Sequence, residues 1–119
     1  DDEVPRSSRT EINEKLLAGQ QFKKWRVVSR TVYGTETLHP CFKDDDFTFN
    51  TAMRVTRENM TEPCHLVLDK VTSSWWLEED GTVLHFFGGS YKIVSLNENK
   101  LELRFRWNGE DYLDTFKKK

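Results

Sequence analysis

Apolar and polar residues alternate with a period of two over most of the chain that follows Gly19. The clearest case is Leu101, Leu103, Phe105 and Trp107, which are separated by charged residues. Because successive side chains of a strand point to opposite faces of a sheet, this segment is predicted to be a strand with one buried face and one solvated face. Asn108-Gly109 follows and favours a type I′ turn, so residues 112–116 are predicted to return as the antiparallel partner.

The same period predicts further strands upstream. They are expected near residues 22–33, 47–56, 64–71, 74–79, 82–88 and 90–96. Within the segment 47–56, one face is predicted to carry Phe47, Phe49, Met53 and Val55. Eight strands joined by short links leave two exposed edges unless the sheet closes on itself. The predicted fold is therefore all-β, an eight-stranded antiparallel up-and-down barrel.

The N-terminal residues follow a different pattern. Residues 1–7 are polar and are expected to form a flexible lead before a single barrel domain at residues 8–117. Ser8-Arg9-Thr10-Glu11 fits a capping box, in which the Ser8 hydroxyl and the Glu11 carboxylate satisfy free backbone N–H groups at a helix start. Apolar residues then recur at helical spacing up to Gly19, which favours a helix end. One short helix is predicted at about residues 9–18, with Ile12, Leu16 and Leu17 on its apolar face.

The charge and hydropathy of the chain argue against nucleic acid and membranes as partners. The 119 residues include 18 basic and 20 acidic side chains, so there is no excess positive charge to attract nucleic acid or an anionic membrane. No apolar run approaches the roughly 18 residues that span a bilayer. The residues Lys117-Lys118-Lys119 are expected to be a solvated end. Aromatic residues make up 13% of the chain, so a few large rings must fill or line the barrel.

With the helix and the strands placed, the chain resembles the lipocalin-like domains of Bacteroidetes envelope lipoproteins over about residues 14–117. The resemblance depends on Leu16-Leu17-Ala18-Gly19 before Trp25, on Cys41 with Lys43-Asp44-Asp45 and Phe47 to Phe49, on Cys64, on Trp75 or Trp76, and on Tyr91-Lys92-Ile93 before Leu101-Glu102-Leu103. The chain departs from the pattern in two places. Gly19 is followed by Phe22 before Trp25, and Asn50-Thr51-Ala52-Met53 stands where relatives carry a Gly-containing turn.

The resemblance implies an exported, N-terminally lipidated protein. Its acylated cysteine would lie upstream of Asp1, and the protein would be periplasmic or anchored to the outer membrane. Contact with a membrane is then expected only through that lipid. We expect a monomer that binds no nucleic acid.

Two cysteines, Cys41 and Cys64, invite two interpretations. In an exported domain they most simply form a disulfide, which would stabilise the fold by about 3 kcal/mol. The alternative is a zinc site, because His39 and His65 lie beside them. Adjacent residues such as Cys64 and His65 chelate one ion poorly, so the disulfide is favoured and no metal is expected.

Other candidate chemistry is weak. Asp44-Asp45-Asp46 lacks the alternating ligands and the glycine of a calcium loop, so an acidic, solvated turn is expected. Glu78-Glu79-Asp80 is expected to flank a hairpin turn. The serines Ser73, Ser74 and Ser90 lie in no known nucleophile motif. We therefore expect neither an enzyme nor a cofactor.

The barrel interior is the remaining candidate for function. An eight-stranded barrel is just wide enough to be filled by side chains or to hold one small ligand. The predicted lining residues are Trp25, Phe49, Met53, Trp75, Tyr91, Phe105 and Trp107. Two hypotheses follow: a barrel that binds a small apolar or amphipathic ligand, and a packed barrel that serves as a structural or protein-interaction module of the envelope with no small ligand. Strand alternation allows only one of Trp75 and Trp76 to face inward, and their neighbours do not decide which.

Overall fold

The computed structural model describes residues 8–38, 45–59 and 70–119. One helix and nine strands are formed in this part of the chain. They are α1 (Ser8–Ala18), β1 (Phe22–Val32), β2 (Thr35–Glu36), β3 (Asp45–Asn50), β4 (Arg54–Asn59), β5 (Lys70–Glu78), β6 (Val83–Phe86), β7 (Gly89–Leu96), β8 (Lys100–Trp107) and β9 (Glu110–Lys118).

The strands form a closed antiparallel barrel. Strands β3 to β9 pair in sequence order, and β1 pairs with both β3 and β9. Residues 22–26 of β1 contact β3, whereas residues 25–32 contact β9. The two-residue strand β2 pairs only with the end of β1, so eight strands form the barrel wall. The predicted eight-stranded barrel is confirmed.

The hairpin between β3 and β4 corrects the single strand predicted at residues 47–56. The Asn50 side chain accepts hydrogen bonds from the backbone N–H groups of Ala52 and Arg54, both at 3.0 Å. Met53 takes a positive φ of 62°. An asparagine that bonds to nearby backbone groups can therefore support a turn at which relatives carry a glycine. The strands on either side pair with Phe49 opposite Val55, and both side chains are buried.

Other element boundaries also shift. The predicted break between residues 71 and 74 is wrong, because β5 runs without interruption from Lys70 to Glu78. The strand predicted at 82–88 ends at Phe86, since Phe87 and Gly88 form a turn with positive φ. The final hairpin is confirmed: Asn108 and Gly109 have φ of 53° and 78°, which are values of a type I′ turn.

Helix α1 closes one end of the barrel. Leu17 is fully buried, and the Trp25 indole donates a hydrogen bond of 3.0 Å to the Leu17 carbonyl. Asn13 donates to the carbonyl of Gly81 at 2.8 Å, which ties the helix to the turn between β5 and β6. One expectation for the helix is wrong, because Ile12 is 57% exposed. The helix begins at Ser8, one residue before the predicted start.

The three C-terminal lysines are exposed, as the sequence suggested, but their backbone is joined to the barrel wall. Lys118 belongs to β9, and Lys119 donates its backbone N–H to the carbonyl of Lys24. The Lys119 ammonium also reaches Asp46, which accepts a second charged hydrogen bond from Arg26 at 2.9 Å. Asp46 is only 1% exposed. Lys119 is therefore bound to the outer face of β3.

Candidate functional site

A cavity of about 230 Å³ lies inside the barrel toward the end opposite α1. Its wall combines apolar and charged side chains. The lining residues are Val27, Arg30, Leu38, Asp45, Phe47, Arg57, Phe86, Phe87, Tyr91, Leu103, Asp114 and Phe116. Leu38 and the strand ends at Asp45, Asn59 and Lys70 border the segments 39–44 and 60–69, which lie outside the described residues.

A bulge in β1 turns Arg30 into this cavity. The register of β1 against β9 shifts between Val27, which faces Phe116, and Ser29, which faces Thr115. Without the extra residue, strict alternation from Trp25 and Val27 would place Ser29 on the inner face. The bulge instead brings Arg30 inward, opposite Asp114. The inner face of β1 therefore changes from apolar to charged along its length.

Arg30 and Asp114 form a two-pronged ion pair in the cavity wall. The Nε and Nη2 atoms of Arg30 donate to the two carboxylate oxygens of Asp114, each at 2.8 Å. Asp114 is buried, and this hydrogen bonding raises the pKa of Arg30 above its ordinary value. The guanidinium also lies over the rings of Phe105 and Tyr112, at 5.4 and 5.8 Å from their centroids. Both stacking and pairing hold Arg30 in one orientation.

A second ion pair joins β3 and β4. Arg57 donates from Nε and Nη2 to Oδ2 of Asp45, at 2.9 and 2.6 Å. Asp45 is only 1% exposed. Because Arg57 stands opposite Phe47 in the register, its side chain reaches Asp45 diagonally and passes 5.8 Å from the Phe47 ring. Asp45 and Asp46 thus lie on opposite faces of a strand, and the expectation of a solvated acidic turn is wrong for both.

Tyr91 brings a hydroxyl group to the same cavity. Gly89, two residues earlier on the same face of β7, leaves the space that the Tyr91 ring occupies, since a Cβ at Gly89 would lie 2.8 Å from the Tyr91 hydroxyl oxygen. Burial raises the pKa of Tyr91, and the charge of Asp114 raises it further, while Arg30 and Arg57 oppose that change. Tyr91 is therefore a neutral phenol within the electrostatic influence of both ion pairs.

The rest of the wall is aromatic. Phe47 meets Phe116 edge to face at 5.4 Å and Phe86 at 6.0 Å between ring centroids. Phe86 in turn contacts Tyr91 at 4.9 Å. Such edge-to-face contacts fix the rings, because the positive edge of one ring meets the negative face of the next. The cavity thus has a rigid apolar body with charged groups set into its wall.

The seven predicted lining residues are distributed over three places. Trp25, Phe49 and Trp75 are at most 1% exposed and fill the barrel near α1. Met53 lies beside them, next to the helix. Tyr91 alone of the seven lines the cavity, and Phe105 packs behind it at 5.0 Å. Trp107 is 63% exposed, so the prediction that it lies on the buried face of β8 is wrong. The inward tryptophan of the pair is Trp75, because Trp76 is 45% exposed.

Sequence reasoning missed the four charged residues of the wall, Arg30, Asp45, Arg57 and Asp114. Alternation does place Asp114 on the face of Phe116, and Arg57 on that of Val55. That signal was available, since opposite charges on inward positions of a barrel must pair. For Arg30 no comparable signal existed, because the bulge cannot be read from alternation alone.

The disulfide and zinc hypotheses concern residues that the structure does not describe. Cys41, Cys64, His39 and His65 all lie outside the described residues. Among residues 8–38, 45–59 and 70–119, no group of three potential metal ligands comes together. Within the same ranges, no helix is long and apolar enough to cross a membrane.

A comparison of the sequence with models of known protein families supports the barrel fold. The family model for the lipocalin-like domain matches residues 22–103, which run from the start of β1 into β8. No curated protein sequence is significantly similar to this chain. Since the match covers more than half of the chain and the strands close into the expected barrel, the protein belongs to the lipocalin-like domain family.

Proposed function

We propose that this barrel binds one small amphipathic ligand in the cavity between Arg30 and Arg57. The observation that carries the proposal is the composition of the wall, in which phenylalanines surround two ion pairs and a neutral tyrosine hydroxyl. Ligand sites typically combine an apolar lining with a few well-placed polar groups. The phenylalanines would hold the apolar part of the ligand, and the polar groups would orient its head.

The size of the cavity limits the ligand. A volume of 230 Å³ lies below the roughly 300–1,000 Å³ of typical ligand pockets. It equals the liquid volume of about eight water molecules. A compound the size of a single ring with a short polar substituent fits this space, whereas a long acyl chain does not.

The ion pairs support binding over a purely structural barrel. Two charged pairs inside a barrel are costly to desolvate, and apolar residues of similar volume would stabilise the fold as well or better. Asp45 and Asp114 are nevertheless buried in the wall of an open space. Fixed charges at the surface of a cavity are useful where they recognise a polar group of a ligand.

The resemblance to envelope lipoproteins supports a proposal about location. The barrel would be exported and held at the envelope by a lipid upstream of the chain, acting there as a monomer. Cell fractionation with and without the upstream segment would test this.

Native mass spectrometry of the protein purified from its own host tests ligand binding. We expect a small mass that is released on denaturation. In Val27→Phe the added ring projects into the cavity, so this variant should release none. The matched control is Val94→Phe, because Val94 is 46% exposed on the outside of the barrel.

The outcomes separate two functions. Loss of the mass in Val27→Phe but not in Val94→Phe supports the cavity as the site. If neither the wild type nor the control releases a compound, and if the recovered apo protein takes up none from a host metabolite extract, the ligand proposal is wrong. The alternative function would then be a structural or protein-interaction module.

A further inference from the structure

A second group of polar side chains assembles on the outer face of the barrel, away from the cavity. Cross-strand pairing places Trp76 of β5 opposite His85 of β6, and His85 opposite Ser90 of β7. Glu78 lies two residues after Trp76, on the same face. Three neighbouring strands therefore bring together a serine, a histidine and a glutamate that are separated in sequence.

The three side chains form a relay of one hydrogen bond and one ion-pair contact. Ser90 Oγ lies at hydrogen-bond distance from His85 Nδ1, 2.9 Å away, whereas His85 Nε2 lies 3.2 Å from Glu78 Oε2 without the alignment of a hydrogen bond. The pKa of Glu78 is lowered, chiefly by the hydrogen bond from Trp76 and then by His85, so the group is ionised at neutral pH. An ionised carboxylate only accepts hydrogen bonds. A carboxylate this close to Nε2 favours the His85 tautomer that carries its proton there, and in that tautomer Nδ1 accepts from the Ser90 hydroxyl.

Trp76 fixes this arrangement. Its ring stacks on the His85 imidazole with 5.1 Å between centroids and 8° between planes. Its indole N–H donates to Oε1 of Glu78 at 3.0 Å, which leaves Oε2 for His85. The imidazole and the Glu78 carboxylate are thus both held by one tryptophan, whereas Ser90 is exposed.

The relay opens into a surface groove lined by three cations and three carboxylates. Glu78, His85 and Ser90 line this groove together with the cations Lys92, Arg104 and Arg106. Lys92 stands opposite Arg104 in the register of β7 and β8. Asp111 and Glu79 also line the groove, and Asp111 pairs with Arg106 at 3.3 Å. Lys92 and Arg104 therefore remain near Ser90 as positive charges for an anionic molecule.

We propose that Ser90 is an activated nucleophile that accepts an acyl group from an ester bearing a negative charge on its acyl chain. A serine within hydrogen-bond reach of a base that is itself oriented by a third group has the arrangement used in nucleophilic catalysis. The Ser90 oxygen attacks the ester carbonyl and passes its proton to His85 Nδ1. The ester C–O bond then breaks, and the departing alcohol takes that proton. Water can release the acyl group by the reverse roles, giving a carboxylic acid.

The test uses mono-4-nitrophenyl glutarate as the anionic ester and 4-nitrophenyl acetate as its neutral counterpart. We expect intact-mass analysis to show one added acyl group and peptide mapping to place it on Ser90. The glutaryl ester should react at least tenfold faster than the acetyl ester. Ser90→Ala should remove this product, whereas Ser74→Ala, which removes an exposed serine with an arginine rather than a histidine partner, should not.

Histidine and glutamate variants distinguish chemistry from structure. His85→Ala should slow acylation at least tenfold, and added imidazole should restore part of the rate, which a merely structural role would not allow. Glu78 acts through His85, so Glu78→Gln should slow the wild type but leave the imidazole-rescued rate of His85→Ala unchanged. Equal labelling of Ser90 and of other serines, or undiminished labelling in His85→Ala, would overturn the proposal. Because the groove and the cavity are separate, neither result bears on ligand binding in the barrel.

Discussion

Arg30 and Asp114 join β1 to β9 at the seam where the barrel closes, through two parallel hydrogen bonds of 2.8 Å. The two partners differ in exposure, with 39% of the Arg30 side chain accessible but only 6% of that of Asp114. Loss of the arginine leaves a buried carboxylate without its partner, whereas loss of the carboxylate leaves a cation that still reaches water. Removal of Arg30 is therefore expected to destabilise the fold more than removal of the Asp114 charge.

That asymmetry predicts unequal effects of two substitutions. Arg30→Met should lower the free energy of unfolding by about 3 kcal/mol, near the lower end of the cost of breaking a buried pair. Asp114→Asn should cost about 1 to 2 kcal/mol, because the amide keeps a hydrogen-bond acceptor. Urea unfolding measures both. The control is Arg106→Met, in which a pair that is 72% and 47% exposed is broken, with an expected change within about 0.5 kcal/mol. Equal losses at Arg30 and Arg106 would contradict the assignment.

Alkaline pH should weaken the fold through Tyr91. Burial raises the pKa of its phenol, so the folded state holds this proton more tightly than the unfolded chain does. The ordinary pKa of a tyrosine phenol is about 10. The resulting stabilisation is complete below that pH and is lost as the pH rises through the raised pKa of Tyr91 in the folded protein. The free energy of unfolding of the wild type should therefore fall relative to that of Tyr91→Phe as the pH rises above about 10. The difference between their ultraviolet titrations should show one phenol ionising above about pH 10, and ionisation below that value would refute the shift.

The two adjacent tryptophans should differ in their contribution to stability. Trp75 is 1% exposed and donates to the Asn50 carbonyl at 3.1 Å, whereas Trp76 is 45% exposed. Trp75→Ala should cost about 3 to 5 kcal/mol, as expected for a large core side chain. Trp76→Ala should cost about 1 kcal/mol or less. Fluorescence quenching by acrylamide should also decrease more in Trp76→Phe than in Trp75→Phe, and the reverse order would show that the faces are exchanged.

Gly81 should be more sensitive to substitution than a glycine of similar conformation. It has a φ of +80°, and a Cβ there would lie 2.8 Å from the Cα of Thr10 in α1. Gly34 has a φ of +84° with no atom within 4 Å of the added carbon. Gly34→Ala should therefore lower the free energy of unfolding by only about 1 to 2 kcal/mol, because alanine is strained in the left-handed conformation. Gly81→Ala should cost a further 1 to 3 kcal/mol or so, because the helix must move. Denaturant unfolding of the two variants gives the comparison, and equal losses would mean that α1 does not pack on this turn.

The strands of the barrel, the helix and the final hairpin could be predicted from the sequence, because each depends on a local pattern. The alternation through Leu101 and Leu103 places both on the buried face, and Asn108-Gly109 permits the two positive φ values of the turn. The same alternation failed at Trp107, since a strand end that extends beyond the packed interior leaves its last residue in solvent. It also failed at the β3–β4 turn, where Asn50 accepts hydrogen bonds from nearby backbone groups within the predicted strand 47–56.

The positions of the charged side chains, in contrast, depend on tertiary contacts. Asp45 and Asp46 are an acidic run in the sequence, yet each is buried against an arginine from a different strand. Arg30 faces the cavity because one extra residue in β1 shifts the register, and Glu78, His85 and Ser90 meet because three strands pair side by side. Periodicity reports the face on which a residue lies within its own strand. Register, bulges and cross-strand neighbours depend on contacts between distant segments, and both the cavity wall and the outer relay are built from such contacts.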